Sequence, residues 1–147
     1  MAEGLEYLQR CLDLSLTLQS DALVAQAHTF LGFGRMLAGD LPGAPRSLRE
    51  ALMVLAPGDL LEGLAYCLEM LSGVLMAEGD QIRAATIYGA AEQIRDRIGL
   101  RPWAMIRPFV DSLAASAAAT PENEAALAAG RQLSLEAAIN LARDVVG

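Results

Sequence analysis

The side chains that could do chemistry are few and scattered. His28 is the single histidine, and a general base needs a partner within reach of its ring. Ser15, Ser20, Ser47, Ser72, Ser112, Ser116 and Ser134 all lack the Gly-x-Ser-x-Gly setting of a strand-to-helix nucleophile. Gly32-Phe33-Gly34 lacks the third glycine and the preceding strand of a dinucleotide loop. All 11 basic residues are arginine, so the lysine of a phosphate-binding P-loop is missing. Cys11 and Cys67 lie in apolar helical patterns, with no further Cys or His at metal-ligand spacing. They read as free, buried thiols, which suits a reducing cytoplasm. No catalytic residue, cofactor or metal site is assigned, and the chain is expected to be a non-enzyme.

The composition points to a single helical domain. The chain has 147 residues, enough to bury one core. It is 54% hydrophobic and 20% charged, which excludes a disordered tail. Its net charge is −7 without a basic cluster, so direct nucleic-acid binding is not expected. Aromatics are only 5%, while Ala and Leu are abundant, a balance that favours helices over strands. The opening Met1-Ala2-Glu3-Gly4 is acidic and no secretory apolar run follows it. No stretch approaches the roughly 20 uninterrupted apolar residues of a membrane span.

The informative feature is an internal repeat. Met36-Leu-Ala-Gly-Asp40 returns as Met76-Ala-Glu-Gly-Asp80, and the same shift places Ala25 on Ala65, Leu31 on Leu71, Ala44 on Ala84 and Ala51 on Ala91. Such a period implies stacked supersecondary units. Each unit reads as two helices around a Gly-Asp corner: 22–38 and 42–55 in the first, 60–77 and 81–98 in the second. Gly39 and Gly79 can end a helix at positive φ. Asp40 and Asp80 can accept the free N–H groups of the next helix. Pro57-Gly58 closes the first unit. Shifted back, Gly4, Leu8 and Cys11 fall where Ala44, Leu48 and Ala51 fall later. The opening helix, 2–18, therefore looks like the second helix of an unseen preceding unit. A repeat cannot start with half a hairpin unless something covers its exposed face. The chain is thus expected to come from a longer protein, or to lean on a partner or a second copy of itself.

Here the pattern resembles tetratricopeptide repeats, which carry a large residue, Leu-Gly, an aromatic, then Ala with an aromatic four later. The first unit supplies His28, Leu31, Gly32, Arg35, Ala44, Leu48 and Ala51; the second supplies Leu68, Leu71, Ser72, Leu75, Ala84, Tyr88 and Ala91. His28 and Arg35 replace usual aromatics, so His28 is assigned to packing. The spacing exceeds the usual period of about 34 residues. The resemblance implies an all-α, right-handed helical-hairpin solenoid of about seven to eight helices. It would divide into 1–18 (a partial repeat), 21–58 (repeat one), 59–99 (repeat two) and 100–147 (capping helices).

After residue 89 the repeat fades. Pro102 can sit in a first helical turn, whereas Pro108 either starts a helix or kinks one. Thr120-Pro121 should open a short helix to about residue 129, ended by Gly130, and Ser134 should cap a last helix to about residue 145. The order Gly89-Ala-Ala-Glu92, Ile98-Gly99, a proline-bearing connector and then Gly130-Arg131-x-x-Ser134-Leu135-Glu136-x-Ala138 resembles the end of the helical-repeat region in LuxR-type, MalT-like ATPase-containing bacterial transcription regulators. Ala137 departs from that pattern, as do Asn123 and Leu127, which stand where aromatics are common. The resemblance implies a cytoplasmic sensor or scaffold that binds protein, peptide or other domains of its parent. The first helix of each unit would then line a concave binding face, presenting Gln26, Thr29, Phe33 and Met36, and Tyr66, Glu69, Gly73 and Met76. The alternatives are a small-molecule effector pocket around Trp103, itself expected to plug unit two against the tail, or homo-oligomerisation.

Overall fold

A computed structural model describes residues 1–147. The chain forms eight α-helices and no strand: α1 (Ala2–Thr17), α2 (Asp21–Leu37), α3 (Gly43–Leu55), α4 (Leu61–Glu78), α5 (Gln81–Ile98), α6 (Arg107–Ala117), α7 (Pro121–Arg131) and α8 (Leu135–Val146). The all-helical class and the helix count agree with the sequence pattern.

The two Gly-Asp corners work as their residues dictate. Gly39 and Gly79 have φ of +81° and +87°, a conformation that glycine adopts without strain. Asp40 Oδ1 accepts the Gly43 N–H at 2.9 Å, and Asp80 Oδ1 accepts the Arg83 N–H at 3.2 Å. These corners fold α2 on α3 and α4 on α5 as hairpins, and α3 and α4 join one hairpin to the next. Small residues set the hairpin spacing. A β-carbon on Gly32 would meet the Leu48 side chain at 2.8 Å. Ser72 donates its hydroxyl to the Ala84 carbonyl at 2.9 Å. Arg35, in place of an aromatic, donates to Ser47 Oγ at 2.7 Å and so ties the first hairpin by a polar contact.

The tail differs from its expected course in two places. Pro102 lies in an extended connector and opens no helix; α6 begins at Arg107, so Pro108 falls in its first turn and kinks nothing. Gly130 does not end α7. It lies buried inside the helix, where a β-carbon would fall on the Thr86 carbonyl oxygen of α5. Opposite it, a β-carbon on Gly89 would fall on the Leu127 carbonyl oxygen. The two glycines let the α5 and α7 backbones touch. Next to Gly130, Arg131 donates to Oε2 of Glu92, three residues beyond Gly89, at 2.8 and 2.6 Å. This pair is half exposed and contributes less than about 1 kcal/mol; it sets register more than stability. Gly89-Ala-Ala-Glu92 and Gly130-Arg131, separated by some forty residues of sequence, thus form one joint in space.

Asn123 completes that joint. It is buried and donates to Gln81 Oε1 at 3.1 Å and to the Ser116 carbonyl at 3.0 Å. An amide does there, by hydrogen bonds, what an aromatic would do by area. Ser134 caps α8 by accepting the Ala137 N–H at 3.1 Å. The last helix then returns to the first hairpin. Leu135 and Ile139 lie over Gly58, and Arg49 of α3 donates to the Val146 carbonyl at 2.6 and 3.1 Å. The tail is therefore a clasp across both hairpins.

Candidate functional site

The eight residues predicted to line a concave face do not form an open strip. Thr29, Tyr66, Glu69 and Gly73 are buried, and Gln26, Phe33, Met36 and Met76 are half-buried. The cover is the chain's own tail. Phe109 of α6 seats its ring against Gly73, where no side chain intervenes, and packs on Phe33 with ring centroids 4.8 Å apart. Met36 adds its sulfur to the same spot. Thr29 turns its hydroxyl back to the Ala25 carbonyl at 2.8 Å. The repeat pattern cannot register this cover, because Phe109 belongs to no repeat.

Trp103 also departs from its expected role as a plug between unit two and the tail. It stacks on Phe30 of α2 at 5.6 Å and tilts against Tyr66 of α4 at 5.0 Å. It therefore bridges the two units across their inner side and remains 37% exposed.

Beneath it lies a buried polar cluster that spacing alone does not reveal. Arg95 donates through Nε to Glu69 Oε1 at 2.9 Å, and its Nη2 bonds the same oxygen. The guanidinium sits 5.3 Å from the Tyr66 ring centroid. Glu69 Oε2, Arg95 Nη1 and the Tyr66 hydroxyl have no hydrogen-bond partner. Burial pushes the Glu69 carboxyl above the usual carboxylate range, and Arg95 pulls it partly back. Reading Glu69 as a surface residue of a groove was an error of this kind: a carboxylate on a concave face looks exposed until its partner from α5 is placed.

Two open features remain. The larger is a groove of about 690 Å³ between α1, α2 and the connector. Its lining includes Tyr7, Leu14, Leu18, Leu23, Leu37 and Met105, which are 69, 59, 59, 42, 55 and 85% exposed. These six large apolar side chains concentrate exposed hydrophobic surface along one groove. The smaller is a pocket of about 420 Å³ lined by Phe30, Tyr66 and Trp103, with Asp59 and Glu62 at α4's start.

Chemical residues stay dispersed. No group of three His, Cys, Asp or Glu side chains converges to hold a metal ion. His28 is half-buried; burial lowers its pKa, the Glu50 carboxylate opposes that shift, and the Arg35 charge adds to it. Cys67 is fully buried, and its thiol is pushed up to about 12 by burial. Cys11 is half-buried and lines the large groove. In the native protein a thiol reagent should therefore modify Cys11 alone, and both cysteines only in denaturant. Two rapid equivalents in the native state would contradict the burial of Cys67. No helix is long and apolar enough to cross a membrane.

The fold and the site together define a class: an all-helical protein of packed hairpins with an apolar groove between two of its helices. No protein-family model, curated protein or solved structure matches the chain.

Proposed function

We propose that this chain is a non-catalytic protein-interaction module, the sensor or scaffold portion of a bacterial signalling or transcription regulator of the tetratricopeptide-repeat type. The observation that carries the interaction reading is the exposed apolar groove between α1, α2 and the connector. The regulator context rests on the resemblance of the tail, in which Gly89, Glu92, Gly130 and Arg131 of the motif meet as one joint. The binding face moves from the strip first predicted, which α6 covers, to its continuation over α2 and α1. Leu14 and Leu37 are exposed there, so Leu14→Arg and Leu37→Arg should leave the fold intact while placing charge in the groove. Both variants should lose at least about tenfold in affinity for a partner captured by the wild type. Undiminished capture by both would end the reading.

A second reading is favoured by the smaller pocket. Three of the chain's seven aromatics meet there, and the acidic side chains in its lining are Asp59 and Glu62, with no basic residue among them. That combination suits a small organic cation. A thermal-shift series with choline and its uncharged isostere 3,3-dimethylbutanol tests it; equal shifts, or none, would reject an effector of this class.

A further inference from the structure

We infer that the groove beside α1 has the shape of a seat for a repeat-type first helix, and that the partner of this module docks by supplying such a helix. The inference rests on the interaction reading above and specifies its partner. The repeat itself provides the template. In the first complete unit, α2 lies between α3 behind it and α4 beside it, and α3 and α4 touch each other. The seat that receives α2 includes Leu48 of α3, which meets Gly32, and Cys67 of α4, which lies beside Thr29.

Moving this seat back by one repeat lands on the groove. Leu48, Ala51 and Leu55 of α3 become Leu8, Cys11 and Ser15 of α1; Cys67, Met70 and Val74 of α4 become Ala27, Phe30 and Gly34 of α2. All six of the latter line the groove. The template positions are 0, 0, 0, 0, 0 and 1% exposed because α2 and its neighbours cover them. In the groove, Leu8, Cys11, Phe30 and Gly34 remain half-exposed. Gly4, which corresponds to the fully buried Ala44, has nothing within 4 Å. The repeat thus forms the two walls of a helix-binding site, and none of the eight helices lies between them.

The template also defines what fits. An incoming helix must bring a small residue to face Leu8, as Gly32 faces Leu48, and another one turn or two earlier, as Ala25 and Thr29 do. Large apolar side chains such as those of Leu31 and Met36 must flank them. Helix geometry places positions i, i+4 and i+7 on one stripe. The partner helix therefore carries small residues at i, i+4 and i+7 on an otherwise apolar face. It is a close-packing helix, unlike the Leu-only stripe of an ordinary amphipathic helix.

The chain contains its own probe, a synthetic peptide spanning residues 19–38, the α2 segment. Added to the full chain, it should slow Cys11 alkylation in a saturable manner. At a tenfold excess over its dissociation constant the rate should fall about tenfold. It should also change the fluorescence of Trp103, the single tryptophan, which lines the groove. The same peptide with Gly32→Leu should protect at least about tenfold less, and Leu37→Arg in the protein should weaken the parent peptide. Equal protection by the Gly32→Leu peptide would overturn the close-packed seat, and no protection by either peptide would overturn helix docking. Cys11 protection without peptide, rising with protein concentration alongside a dimer in sedimentation, would assign the groove to a second copy and overturn the partner. If groove-dependent capture of a partner persists while the peptide fails, the interaction module stands and the helix does not.

Discussion

Gly130→Ala should destabilise the protein by about 3 kcal/mol, the upper end for overpacking, and lower the melting temperature by roughly 10 °C. Helix propensity predicts the opposite sign, since Ala is the better helix former by about 1 kcal/mol. The structure decides between them because the added methyl would occupy the position of the Thr86 carbonyl oxygen. Backbone cannot step aside as a side-chain tip can, so α5 and α7 must separate along their whole contact. Gly89→Ala should behave alike, since its β-carbon meets the Leu127 carbonyl. Gly4→Ala is the control. Gly4 is also helical, but nothing lies within 4 Å, so its replacement should stabilise by about 0.5 kcal/mol. Denaturant midpoints of the three variants check the set. A stabilised Gly130→Ala would mean that α7 does not lie on α5.

Arg95→Met should destabilise by about 3–5 kcal/mol, because it strands the Glu69 carboxylate without its cation. The effect should depend on pH. Burial raises the Glu69 carboxyl in the folded protein relative to the unfolded chain. Between the ordinary carboxylate range and that raised value, the folded state binds more protons than the unfolded state. Stability therefore falls as pH rises through this window and is level above it. Without Arg95 the carboxyl is held higher still, so the window extends upward and the variant loses most at neutral and alkaline pH. Urea unfolding at about pH 5 and about pH 8 should show a larger deficit at the higher pH. Adding Glu69→Leu to Arg95→Met should recover most of the loss, since an apolar pair of similar volume often replaces a buried ion pair without penalty. A deficit that is the same at both pH values, or that the second substitution leaves untouched, would contradict the pairing.

Much of the local structure was legible in the sequence because its causes are local. The Gly-Asp corners at 39–40 and 79–80 follow from positive φ and from capping by a side-chain carboxylate, and both read directly from residue type. Ser134 and Thr120 announced α8 and α7 for the same reason. The helix-facing positions of each hairpin followed from the period of the apolar residues. The opening helix was visible from the same spacing, with Gly4, Leu8 and Cys11 at the positions of Ala44, Leu48 and Ala51.

The binding face was not legible in this way. Gln26, Thr29, Phe33 and Met36 with Tyr66, Glu69, Gly73 and Met76 were expected to line an open face, yet Phe109 lies on Phe33 and Gly73, Trp103 lies on Tyr66, and Arg95 pairs with Glu69. Phe109 and Trp103 belong to a helix and a connector without repeat partners. Gly130 looked like a helix end because a lone glycine is locally ambiguous between a cap and a close approach. Only the position of Thr86 on another helix separates the two.

The sequence by itself determined an all-helical chain of about seven to eight helices and its two Gly-Asp corners, since those follow from backbone preference and hydrophobic period. The tertiary structure alone decided which part of the shared face stays open. α6 returns to cover α4, while the matching side of α1 and α2 receives no helix. That outcome depends on where a non-repeating segment docks, and contacts between distant segments leave no periodic trace in the chain.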